Sequence, residues 1–102
     1  MLANRLGLFI AMTITSVIPA VAEGTGDPDA GRRIVQASCE ECHSSAASGW
    51  GAPDFHAVAA MPSTTALSLG VFMRTSHPNM PNLILSPAQL DDVIAYILSL
   101  RT

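Results

Sequence analysis

Chemistry in this 102-residue chain is concentrated in one pentapeptide, Cys39-Glu40-Glu41-Cys42-His43, and its two cysteines are the whole cysteine content. Two cysteines in one short motif exclude a multi-bridge disulfide framework, and an all-cysteine zinc site from this chain alone. On a helical turn, residues three and four apart share a face, so Cys39, Cys42 and His43 are expected to project to one side. Thiols at that spacing can form thioethers with the two vinyl edges of a haem, while the adjacent His43 reaches the iron. In an exported chain, C-x-x-C-H reads as covalent attachment of haem c, one per chain. Two other chemistries compete. A thioredoxin-like C-x-x-C needs a βαβ context, and no strand pattern is present. A zinc site needs two further ligands; His56 and His77 remain, and His43 follows Cys42 too closely for the usual finger spacing.

Export is written at the N-terminus. Arg5 precedes an apolar run, LGLFIAMTITSVIPAVA from Leu6 to Ala22, broken by Pro19 and ending Ala20-Val21-Ala22. A positive start, an apolar centre and an A-x-A end describe a secretory signal peptide. A membrane anchor is the alternative, but a stretch broken near its end is short of the ~20 apolar residues that span a bilayer. The expected division is therefore 1–22 signal peptide and 23–102 a single domain, periplasmic and without stable membrane insertion after cleavage. That domain has four arginines against eight Asp and Glu, net −4, and no lysine at all. No basic stripe exists for nucleic acid.

Small size sets a second constraint. A domain of this length buries only ~60–65% of its unfolded surface. Trp50, Phe55, Phe72 and Tyr96 are its aromatics, so a group outside the polypeptide is expected to complete the core.

The elements that must position the motif are helical. Asp27 offers an N-cap and Pro28 takes the first helical position, predicting a helix over 28–38 that carries the motif on its far end. Residues 23–26 (EGTG) read as a frayed lead-in. Residues 44–64 are rich in Ser, Ala, Gly and Pro and read as loop with one helical turn near 54–60. Ser63-Thr64-Thr65 can cap a helix through ALSLGVFMR. Ser86-Pro87-Ala88-Gln89 combines an N-cap, a proline at N1 and a capping-box Gln, opening a last helix to about Leu100. Its apolar face is Leu90, Val93, Ile94, Ile97 and Leu98.

From about Gly31 to Arg101 the chain resembles the class I c-type cytochromes, in particular the short bacterial members. Gly31 stands eight residues before Cys39, where the family places a small residue so that first and last helices cross closely. Tyr96 matches the aromatic at that crossing, and Val35 departs from the family's usual Phe or Tyr. The resemblance implies a small all-α cytochrome c fold, with N- and C-terminal helices crossing around the covalent haem. It also implies that the Pro53 carbonyl accepts a hydrogen bond from Nδ1 of the proximal His43, fixing its tautomer. The family pattern points to a methionine before the last helix as sixth ligand, and Met80 in His77-Pro78-Asn79-Met80-Pro81-Asn82 fits. Flanking prolines hold that segment extended. Met73 lies within a helix and suits core filling. Met61 also precedes a proline but would require the chain to cross the haem edge early. His56 and His77 take the surface default. Arg74 is a propionate partner by charge or a surface residue, and Trp50 a propionate partner through its indole N–H or filler.

His43/Met80 ligation leaves no site for substrate and raises the haem potential. The implied function is a non-enzymatic electron carrier, a monomer that meets redox partner proteins transiently. Alternatives are a haem subunit of a larger oxidoreductase, or a haem enzyme or gas sensor with a labile sixth position. Without lysine, ligand exchange at high pH is expected to go to hydroxide, a histidine or the Glu23 α-amine.

Overall fold

The computed structural model describes residues 13–17, 25–44 and 51–102. Five helices follow in order: α1 Pro28–Ser38, α2 Glu40–His43, α3 Phe55–Ala60, α4 Ala66–Met73 and α5 Pro87–Ser99. No strand occurs among the described residues, so the fold is all-α. Residues 13–17 have no regular structure, and the rest of the expected signal peptide lies outside the described residues. No described helix is long and apolar enough to cross a membrane.

Capping follows the local sequence. Asp27 accepts from the Asp29 N–H at the start of α1, with Pro28 behind it. Thr65 and Ser68 form a reciprocal capping box on α4, and Ser86 and Gln89 form another on α5. Each satisfies N–H groups that the first helical turn leaves without partners.

α1 and α5 form the principal helix pair. Their close approach depends on Gly31, where a Cβ would overlap the Asp92 carbonyl and lie 2.9 Å from Tyr96 Cβ. The core they share with α3 and α4 contains Val35, Ala59, Leu69, Leu90, Val93, Ile94 and Ile97. Val35 is 2% exposed, so the smaller side chain is fully used at this crossing. Tyr96, Leu98 and Phe55 pack half-buried against that core.

Two local expectations change. The lead-in is not frayed at Gly26: a Cβ there would overlap the Asp91 backbone, and the next residue donates its N–H to Asp92 Oδ1 at 2.8 Å. Residues 23–24 lie outside the described residues. α1 ends at Ser38, as the predicted range 28–38 has it, but it does not continue into the motif, because Cys39 adopts φ −123°, ψ −31° as its C-cap. The motif therefore occupies a separate single turn, α2, with Cys39 as N-cap.

Candidate functional site

Cys39 closes α1 by donating its N–H to Val35 O at 2.8 Å, and its own carbonyl accepts from Cys42 N–H (3.2 Å) and His43 N–H (2.9 Å). One residue thus ends the long helix and starts the short one. The two thiols consequently stand in different surroundings: Cys39 is buried and Cys42 exposed. Burial pushes the Cys39 thiol above its ordinary pKa, because a low-dielectric environment disfavours thiolate. The neutral form that this favours has the charge state of a thioether.

His43 is braced on two sides. Its Nδ1 lies 2.8 Å from Pro53 O; a carbonyl can only accept, so Nδ1 carries the proton and the Nε2 lone pair is free for a metal. Its ring stacks on Phe55, with centroids 4.6 Å apart and planes 10° from parallel. Phe55 is the first residue of α3, placed by the Asp54 N-cap, which accepts from the His56 N–H at 2.9 Å. In the sequence Phe55 reads as space-filling, and its position two residues beyond Pro53 is the signal for this contact.

Met80 is half-buried and lines a cleft of about 430 Å³ with Phe72, Arg74, His77, Leu83 and Leu90 among others. Met73 lines the same cleft from α4. His43 and the cysteines are not among its lining residues. Met61 is 46% exposed as the C-cap of α3 and borders a different hollow with His56 and Arg101. His56 is exposed, its Nδ1 3.3 Å from Asp54 Oδ1. Arg74 is exposed and turns back to donate from a guanidinium nitrogen to Gly70 O at 3.1 Å, its one side-chain hydrogen bond among the described residues. Trp50 lies outside the described residues.

Cys39, Cys42 and a His43 with a free Nε2 on one turn form a donor set suited to haem c. No group of three His, Cys, Asp or Glu that could hold a bare metal ion occurs among the described residues. Fold and donor set together define a haem c protein.

The family model described as cytochrome c oxidase, cbb3-type, subunit III matches residues 26–97, and the chain belongs to this cytochrome c family. It is 31% identical over 100 residues to cytochrome c-552 of Bradyrhizobium diazoefficiens, an alignment spanning 94% of this chain and 90% of the relative. It is 30% identical over 95 residues to a cytochrome c-553-like protein of Synechocystis, spanning 93% of this chain and 90% of the relative. No solved structure gives a significant match. The chain is a small c-type cytochrome with covalently bound haem c, and its function is electron carriage.

Proposed function

We propose that the chain is exported, cleaved near Ala22, and shuttles single electrons in the periplasm as a monomer without catalytic turnover. Cys39 and Cys42 hold the haem by thioether bonds, and His43 and Met80 take its two axial positions. The bound haem supplies a one-electron couple. The observation that carries this reading is the His43 Nδ1 donation to Pro53 O, which orients the ring and leaves Nε2 as the metal-facing nitrogen. Met80 is supported by its place in a non-helical segment next to the cleft, in contrast to Met73 on a helix and Met61 at another hollow. Arg74 and Trp50 serve as propionate partners in this reading, Arg74 through guanidinium N–H groups other than the one bonded to Gly70 O.

With both axial positions held by protein side chains, no exchangeable site remains for a substrate. The test is the visible spectrum of the dithionite-reduced holoprotein, made in a host that matures haem c, with and without carbon monoxide. A low-spin spectrum indifferent to the gas is expected. A prompt shift overturns this reading in favour of an enzyme or sensor with an open site. The description of the matching family as an oxidase subunit favours a second reading, in which the chain is held in a larger oxidoreductase. Native purification separates the two: a free carrier elutes alone, whereas a subunit elutes with its complex.

A further inference from the structure

Residues 74–86 join α4 to α5 without regular secondary structure, and they carry Met80. A thioether is a weak, neutral donor, so the hold on it depends on how the protein fixes this segment. The α4 end of the segment is fastened through His77. Its ring stacks on Phe72, centroids 3.6 Å apart and planes within 11° of parallel. Its Nε2 lies 3.0 Å from Phe72 O and 3.1 Å from Thr75 Oγ1. Because a carbonyl only accepts, Nε2 carries the proton and donates to the last turn of α4.

The backbone of the same residue holds Met80. Contrary to the extended course expected from the flanking prolines, the segment is turned at His77–Met80: Met80 N–H donates to His77 O across a β-turn, at 3.4 Å. Pro78 occupies the second position of that turn, and Asn79 the third with φ 62°, the pattern of a type II turn. Pro78 and Pro81 offer no N–H of their own.

We propose that His77 is a positioning residue for the Met80 thioether: its imidazole locks the segment to the end of α4, while its carbonyl holds Met80 through the His77–Met80 turn. This inference rests on the reading of Met80 as an axial ligand. His77 is half-buried and doubly engaged, in contrast to the exposed His56, and its role is mechanical.

The test measures how readily an outside ligand displaces Met80. Ferric holoprotein is titrated with imidazole and followed optically, because apparent affinity is reduced by the fraction of molecules in which the position is closed. Loss of one hydrogen bond and one ring stack in His77→Ala is expected to raise imidazole affinity about tenfold. His77→Phe keeps the stack and His77→Gln keeps a donor, so both should fall between wild type and His77→Ala. Thr64→Val removes a buried hydroxyl bonded to Val58 O and should lower the unfolding temperature without changing imidazole affinity. Unchanged affinity in His77→Ala, or an equal rise in Thr64→Val, overturns the proposal. If His77→Ala does not mature, Phe72→Leu removes the same stack from the α4 side and is expected to raise the affinity too.

Met80→Ala separates the two levels of inference. Disappearance of the weak near-infrared band of thioether-ligated ferric haem in Met80→Ala, with no effect of the His77 variants on imidazole affinity, defeats the positioning role alone. Persistence of that band in Met80→Ala defeats the axial assignment and the positioning role with it.

Discussion

At the scale of single residues, the His43 site shows how a short loop can orient a side chain through its backbone. Pro53 contributes a carbonyl, which no side-chain substitution removes directly, while Phe55 contributes a ring face. Asp54 between them determines where α3 begins. The His56 backbone N–H bonded to Asp54 holds that carboxyl below its ordinary pKa; desolvation opposes the shift, and the bond and charge of the His56 ring add to it. A lowered folded value means that this stabilisation is present above the unfolded carboxyl pKa of about 3.9 and is lost as pH falls through the lower folded value. Wild type should therefore resist urea better than Asp54→Ala at neutral pH, with the gap narrowing below pH ~4. A gap independent of pH from neutral into strong acid would show that the carboxylate is not the cap.

At the scale of elements, two devices fix the helices around the site. The crossing of α1 and α5 leaves no room for a Cβ at Gly31. Gly31→Ala gains about 1 kcal/mol in helix propensity, but it must push apart a backbone contact, and overpacking costs about 1–3 kcal/mol. A net loss of stability is expected in equilibrium urea unfolding, together with altered packing of Tyr96. The second device is Arg101, whose Nε donates to Ala59 O at 3.1 Å and whose guanidinium also donates to Thr64 O. It ties the end of the chain to the α3–α4 connection, where Thr64 Oγ1 donates to Val58 O at 2.6 Å. Arg101→Ala should cost about 1–3 kcal/mol by leaving these carbonyls without their donors, read as a lower urea midpoint at unchanged m-value.

At the scale of the whole molecule, charge decides how the protein meets others. Five arginines, no lysine and eight carboxylates make a chain of net charge −3, so long-range steering favours a basic partner. Exposed charges more than a Debye length apart are largely screened, about 8 Å at physiological salt. Electron transfer with its physiological partner should accordingly slow as ionic strength rises, measured by stopped flow across a salt series. Acceleration with salt would exclude attraction to a basic partner. The contact is expected to be small and transient, below ~1,200 Å².

The amino-acid sequence by itself determined what depends on near neighbours. The spacing of Cys39, Cys42 and His43 names the attachment chemistry. The Asp27-Pro28 start, the Thr65 cap and the Ser86–Gln89 box place their helices, because a cap joins groups two or three residues apart. Gly31 marks the crossing through the family likeness. Only the tertiary structure decided the rest. The Asp27–Asp92 bond joins residues 65 apart, and the Arg101 bonds span 42 and 37 residues; neither partner signals the other in sequence. The break at Cys39, which buries one thiol and exposes the other, arises at the junction of α1 and α2. His77 looks like any polar loop residue until the chain folds back on α4 and sets its ring on Phe72. Hydrogen bonds within a turn are closed by local backbone geometry, whereas stacking and long-range ties exist only after helix packing has brought distant surfaces together.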